Sequence, residues 1–378
     1  MRSVVSALLI LLSVQLFSQD NSTKNKLSFN GDFRFRIEHD WNSINADGEP
    51  REDRSRLRYR FRFGMHYQYN SWASFGGRVR SGNIEDQQGP HLTLGGGNGE
   101  FGLELIGLEK LFFQINLKNF SAWLGKNTPY LKKQNELFWN NNVFPEGVAL
   151  NSNWKFSNSN FVNTLNINAG HYIINSNGET FDKDSYFQLI QLVTEHGNRK
   201  YSVFPAFYYF KDIGNIPDGQ EEFLLSYSII HLGGIAQLFN SPFLTIGADY
   251  YNNLQDYDEV EEIPTTFKNQ KQGFVISTKL GKLSKKGDLM LHIYYAYLQK
   301  YAVVDYFAQN DWARWDYSSY EAFGSRLTNM KGFEIRIGYA FGEKFNLILR
   351  TYFVEQIKAE GMFKETGNRI RLDLNIRI

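Results

Sequence analysis

Polar and apolar residues alternate with a period of two along much of the chain. Between positions 54 and 63, five arginines alternate with large apolar residues. A helix would scatter the arginines around its axis, whereas a strand places all of them on one face. The arginines are Arg54, Arg56, Arg58, Arg60 and Arg62, and the apolar residues are Leu57, Tyr59, Phe61 and Phe63. The pattern therefore predicts a β-strand with one charged face and one apolar face.

Segments of this kind predict about sixteen strands, with fourteen or eighteen also open. The first eight predicted ranges are 27–39, 53–69, 71–82, 104–115, 119–126, 147–157, 161–174 and 184–197. The last eight are 199–211, 222–239, 243–252, 272–282, 287–300, 331–341, 345–358 and 367–378. The connections alternate between long or intermediate loops and short turns. Such alternation is typical of a transmembrane antiparallel up-and-down β-barrel, in an all-β fold.

The N-terminal segment resembles a secretory signal peptide. Arg2 precedes an apolar run from Val4 to Phe17, which Ser18 and Gln19 follow. The alternative, a membrane anchor, needs about 20 apolar residues, and this run has only about 14. We therefore predict a signal peptide at residues 1–18 and a single outer-membrane β-barrel domain at 19–378.

Composition narrows the class of protein. The 378 residues carry a net charge of +1, which excludes bulk basicity as a means of binding nucleic acid. The absence of Cys excludes thiol catalysis and disulfides. The charged strand faces predict a polar lumen, since so many charges could not fill a packed interior. The apolar faces then contact lipid, and the expected partners are outer-membrane lipid, lipopolysaccharide and small hydrophilic solutes or ions.

The charged face predicts a basic wall that lines the pore. Its members are Arg34, Arg36, Arg54, Arg56, Arg58, Arg60, Arg62, Arg78, Arg80, Arg336, Arg350, Arg371 and Arg377. Charge rings in pores tune ion choice, so we expect a mild preference for anions. The alternative is a structural face whose charge is neutralised by carboxylates.

Two long connections carry further candidates. The connection 127–146 is a candidate constriction loop and contains Lys132, Lys133, Glu136, Trp139 and Glu146. The connection 253–271 is acidic and contains Asp256, Asp258, Glu259, Glu261 and Glu262. Clustered acids bind divalent cations in some loops but are only solvated in most. We therefore predict no metal site in this connection.

Catalysis finds little support in the sequence. The seven histidines are dispersed, without a metal-ligand spacing, and no motif nominates a nucleophile. We expect no enzyme, no catalytic residue, no metal and no cofactor. A barrel-embedded hydrolase, with His171 or His292 beside a serine, remains an alternative, as does a non-conducting scaffold or binding barrel of an envelope complex.

Several motifs resemble the putative porin family of Gram-negative outer membranes. They lie at residues 31–36, 54–64, 77–82, 124–126, 129–130, 139, 145–149 and 372–375. The resemblance implies an outer-membrane β-barrel that passes small solutes, without a defined substrate, and a homotrimer is one assembly open to such a barrel. We therefore expect a porin, a passive diffusion channel for small hydrophilic solutes.

Overall fold

The computed structural model describes residues 26–96, 99, 104–156, 161–176, 178, 180–214, 224–308, 311–312 and 328–378. The predicted signal peptide lies outside the described residues. The described chain is nearly all β, with one four-residue α-helix at Thr265–Lys268 and two 3-10 turns. No helix in this part of the chain is long and apolar enough to cross a membrane.

The strands follow one another along the chain and pair with their neighbours. The first ten are β1 (Leu27–Ile44), β2 (Pro50–Arg51), β3 (Arg54–Gln68), β4 (Ala73–Ser81), β5 (Leu92–Thr93), β6 (Ile106–Asn116), β7 (Phe120–Lys126), β8 (Glu146–Lys155), β9 (Thr164–Asn175) and β10 (Ser185–His196). The others are β11 (Tyr201–Val203), β12 (Ala206–Gly214), β13 (Leu224–Asn240), β14 (Phe243–Asn253), β15 (Gln272–Gly281), β16 (Leu289–Leu298), β17 (Met330–Ala340), β18 (Phe345–Gln356) and β19 (Thr366–Arg377).

Sixteen of these strands form a closed antiparallel barrel, which β1 and β19 close by pairing along most of their length. Three short strands extend their neighbours. β2 continues the ladder beyond β3, β5 pairs with β3 beyond the end of β4, and β11 precedes β12 in the same wall position. Pro205 separates β11 from β12, because proline has no amide hydrogen to donate to the ladder. The predicted fold class and all sixteen predicted strands are confirmed.

The two strand faces differ in exposure as the alternation predicts. On β3, Arg60 and Arg62 are buried while Leu57 and Phe63 are exposed. This apolar face has no packing partner among the residues that the structure describes. The arginines therefore point into the lumen and the apolar side chains point outward.

The lumen is less polar than predicted. On β9 to β14, many lumen-facing residues are aromatic and pack against connections that fold inward from the rim bearing the long loops. The largest buried aromatic residues of these strands are Tyr172, Phe187, Tyr208, Phe210, Tyr227 and Tyr251. In this half, therefore, the lumen is packed with aromatic side chains and is not the polar lumen that was expected. On β12, aromatic residues occupy both faces (Phe207, Tyr208, Tyr209 and Phe210), so alternation there does not distinguish lumen from lipid.

Candidate functional site

Arginines lie directly opposite one another across the strands of one lumen wall, formed by β17, β18, β19, β1, β3 and β4. Five such pairs occur: Arg336 with Arg350, Arg350 with Arg371, Arg36 with Arg58, Arg34 with Arg60, and Arg62 with Arg80. Opposed residues have Cβ atoms about 4.5–5.5 Å apart, and like charges there are destabilising. The wall therefore requires compensating negative charge.

Carboxylates supply much of that charge. Thirteen arginines of this wall form ion pairs with eight carboxylates, which leaves an excess of five positive charges among the described pairs. The carboxylates are Asp32, Glu38, Asp40, Glu109, Glu136, Asp311, Glu334 and Asp373. The wall is therefore a network of ion pairs that retains a net positive charge.

Glu109 on β6 shows how dense this network is. Its carboxylate accepts hydrogen bonds from Arg62 and Arg78, each at 2.6 Å, and lies 3.8 Å from Arg80. The side chain is almost fully buried. One carboxylate therefore neutralises part of the charge of three arginines.

Two further carboxylates come from long connections that enter the lumen. Glu136 lies 3.4 Å from Arg336 and 3.5 Å from Arg350, and Asp311 forms ion pairs with Arg36 and Arg371. Burial raises the pKa of Glu136, but Arg350, Arg336 and Lys133 outweigh it and hold the pKa well below its usual range. Glu136 is therefore charged at neutral pH and ties the connection to the wall.

Asp249 of β14 anchors the connection 127–145 on the opposite side. Its carboxylate accepts hydrogen bonds from the side chains of Gln134 and Asn135, each at 2.5 Å. His231 lies 2.8 Å from the other oxygen. The connection is thus held between Asp249 and the arginines of β17 and β18, inside the barrel.

The predicted constriction residues do not all lie inside the lumen. Trp139 is buried, and Lys133 bonds to its carbonyl oxygen and to Asn141. The backbone of Lys132 exchanges two hydrogen bonds of 2.8 Å with Gln191. Glu146 instead begins β8, with a side chain 65% exposed and paired with Lys126.

Three connections meet at one buried junction in the lumen. The Asn140 backbone donates a 2.9 Å hydrogen bond to the Phe307 carbonyl. The Gln88 side chain donates a 2.7 Å hydrogen bond to the Ala308 carbonyl and accepts one from the Asn140 side chain. The connections 82–91, 127–145 and 299–308 therefore form one assembly beside the arginine wall.

Two cavities separate this assembly from the arginine wall. The first, the arginine cavity, has a volume of about 230 Å³ and is lined by seven arginines together with Asp86, Glu136, Asp311 and polar loop residues. The second has a volume of about 250 Å³ and includes Arg78, Lys110 and Lys133 in its lining. Both are lined by Arg62, Asn140 and Asn141, so they are neighbours. Arg62 also donates a 3.0 Å hydrogen bond to the side chain of Asn142, which lines the first cavity.

The predicted pore-lining arginines separate into three groups. Seven line the arginine cavity: Arg34, Arg36, Arg58, Arg60, Arg62, Arg350 and Arg371. Arg54, Arg56, Arg78, Arg80 and Arg336 belong to the ion-pair network. Arg377 is exposed at the end of β19. Sequence reasoning missed Glu109, Asp311 and Asp373, although the position of Asp373 between Leu372 and Leu374 placed it on the charged face.

One serine and one histidine meet on the outer surface. The His39 Nδ1 atom lies 2.9 Å from the Ser55 hydroxyl oxygen, and within the described residues the imidazole has no second hydrogen-bond partner. A hydrolase triad needs a polar group that orients the histidine. His171 and His292 contact Gln188 and Tyr294 instead. In the parts of the chain that the structure describes, no group of three or more His, Asp or Glu side chains is placed to hold a metal, and the acidic connection is included.

Residues 223–378 match the model of the putative porin family. The resemblance found in the sequence is thereby confirmed. No curated protein gives a significant match. The solved structure of OprB from Pseudomonas putida has a TM-score of 0.56 at 12% identity, covering 93% of this chain and 94% of that chain.

Two further porin structures give comparable agreement. OmpF of Salmonella typhi, solved in complex with daunomycin, has a TM-score of 0.55 at 12% identity, over 93% of this chain and 97% of that chain. A mutant of Rh. blastica porin has a TM-score of 0.51 at 11% identity, over 93% of this chain and 100% of that chain. At these identities the likeness establishes the porin fold alone.

Proposed function

We propose that this protein is an outer-membrane porin that conducts small hydrophilic solutes by passive diffusion. The observation that carries the proposal is the pair of neighbouring cavities between the arginine wall and the inward-folded connections, inside a closed barrel whose outer face is apolar. The porin family match and the porin-fold neighbours support a channel of this class. The proposal assigns no catalytic residue and no cofactor.

Mild anion preference is the finer part of the proposal. The five excess positive charges of the wall favour anions, because a narrow lumen with low-dielectric walls focuses the electric field. The carboxylates limit the effect, and salt at about 0.15 M screens charges more than about 8 Å apart. We therefore infer a modest selectivity rather than exclusion of cations.

Single-channel recording in planar bilayers tests both parts. The refolded protein should give stepwise currents in KCl. In a salt gradient, the zero-current potential should have the sign expected for a channel that prefers anions. Replacing Arg58, Arg60 and Arg62 together by Gln should move that potential toward cation preference, with a smaller shift at high salt. Absence of current would favour the non-conducting barrel, for which the aromatic packing in the lumen is the supporting observation.

A further inference from the structure

The arginine cavity contains buried hydrogen-bond donors that no group of the described chain satisfies. The Nε atoms of Arg58, Arg60 and Arg350 are buried and have no hydrogen-bond partner. The Nε2 atom of His91 is in the same state. All four residues line this one cavity of about 230 Å³. Unsatisfied buried donors are costly, so three unpartnered guanidinium Nε atoms in residues around one cavity indicate a missing acceptor.

The charge around this space also favours an anion. Arg34 and Arg60 face each other across β1 and β3, and their carboxylate contacts are sparse. The contact of Arg34 with Asp373 is 3.9 Å long, and Arg60 pairs only with Asp32 in the described chain. Seven arginines and three carboxylates line the cavity, and the other carboxylates that pair with these arginines lie behind the lining. The excess of five positive charges counted over the whole wall is what water alone would leave uncompensated.

The chemistry of the donors defines the class of ligand. A guanidinium presents a planar fork that matches the oxygens of carboxylate and phosphate groups. Burial and the neighbouring arginines lower the pKa of His91, so its imidazole is neutral at pH 7 and donates one N–H. Chloride lacks several acceptor atoms separated in space, whereas a dianionic oxyanion offers them to several donors at once.

We propose that the arginine cavity is a binding site for a small oxyanion with two or more negative charges, held by Arg58, Arg60, Arg350 and His91. The inference rests on the proposed channel function, because the cavity lies on the proposed solute path, and it names the solute class. Arg60 and Arg350, each 7% exposed, are the buried centre of the site.

Block of the chloride current tests the site. Sodium phosphate or sodium succinate is added at pH 8 and constant ionic strength, with sodium acetate as the monovalent control. Both dianions should reduce the single-channel current with saturation, and acetate should not. A stronger block by phosphate than by succinate identifies a single tetrahedral group as the preferred ligand, and the reverse identifies two separated carboxylates.

A matched pair of variants separates the site from general charge. Arg60→Gln should raise the half-blocking concentration at least about tenfold, since it removes hydrogen bonds to a charged group. Arg54→Gln removes the same charge from the same face of β3, but Arg54 does not line the cavity. It should leave the block unchanged. An equal rise of the half-blocking concentration in both variants would overturn the site, because the block would then depend only on the overall positive charge of the wall.

Calorimetric titration of phosphate into the detergent-solubilised protein keeps the two proposals distinguishable. Saturable heat without any bilayer current would support the site and refute the channel. Normal KCl conductance without block and without saturable heat would support the channel and refute the site. Circular dichroism shows whether the Arg60→Gln barrel is folded. If it is not, Arg58→Gln repeats the test.

Discussion

The indole of Trp139 stacks on the ring of Phe307, with the ring centroids 4.7 Å apart and the planes 24° apart. The indole also stacks on Phe187 of β10, with the ring centroids 5.1 Å apart. Trp139 lies on the connection 127–145 and Phe307 on the connection that follows β16. One side chain therefore joins two inward-folded connections to the barrel wall, and it also lines the second cavity.

Trp139→Ala should loosen this assembly. Removing a buried Trp costs about 3–5 kcal/mol of folding free energy, and here the loss falls on contacts that hold the connections inside the lumen. We expect a larger and noisier single-channel conductance and a lower urea midpoint. Trp154→Ala is the control, because Trp154 is exposed on the outer face of β8. Unchanged conductance in Trp139→Ala would mean that the connections do not narrow the path.

The barrel could be predicted from the sequence because alternation acts locally. A strand with lipid on one side and a polar lumen on the other must alternate, and β3 and β19 do so almost without exception. The same logic failed where the lumen is packed with aromatic residues, as on β12, because both faces of the strand are then apolar. Which connections fold inward depends on distant partners such as Asp249 and Phe187, and local patterns do not report such contacts.

The site was predictable in part for the same reason. The arginines of β3 stand out as a periodic run, so the basic wall was evident. Which carboxylates neutralise the wall could not be predicted, since Glu109 meets Arg62 only through the pairing of β4 with both β3 and β6. Asp311 and Glu136 reach the wall from long connections, and their pairing with arginines far away along the chain has no sequence signal.

Lys133 should make the selectivity depend on pH. Burial lowers the pKa of Lys133 to about 8, although Glu136 acts in the opposite direction. The side chain lines the second cavity, so loss of its charge between pH 7 and pH 9 should weaken the anion preference. The folded-state pKa of Lys133 lies below the unfolded value of about 10.4, so the unfolded state binds more protons between the two values. The free energy of unfolding should therefore rise as the pH rises between these two pKa values.

Zero-current potentials measured from pH 6 to pH 10 test this expectation. Lys133→Met should abolish the change near pH 8, whereas Lys126→Met should retain it, because Lys126 is paired with the exposed Glu146. A pH dependence that persists in Lys133→Met would assign the titration to another group.

Phe63→Arg tests the assignment of the outer face. Phe63 is 41% exposed on β3, near the middle of the strand. An arginine on the lipid face near the bilayer midplane costs about 2–4 kcal/mol. We expect that loss of unfolding free energy in urea titrations in lipid vesicles, and much less in Phe63→Leu. Equal stability of the two variants would contradict contact of this face with lipid.

Glu109→Gln tests whether the wall sets the selectivity or only supports the barrel. The substitution keeps the shape of the side chain and removes the charge that Arg62, Arg78 and Arg80 share. The excess of positive charge beside the second cavity, which Arg62 and Arg78 line, should increase. The zero-current potential in a salt gradient should therefore move further toward anion preference.

Stability should fall in the same variant, because breaking a buried ion pair leaves uncompensated charge and costs about 3–5 kcal/mol. Phosphate in the refolding buffer should restore part of this loss by binding near the arginines that Glu109 no longer neutralises. Glu104→Gln is the control, since Glu104 is exposed and contacts only Tyr59 in the described chain. It makes the same change of charge outside the lumen and should alter neither quantity. If Glu109→Gln lowers stability but leaves the potential unchanged, the arginines of this wall are held for structure alone, and selectivity is decided elsewhere along the path.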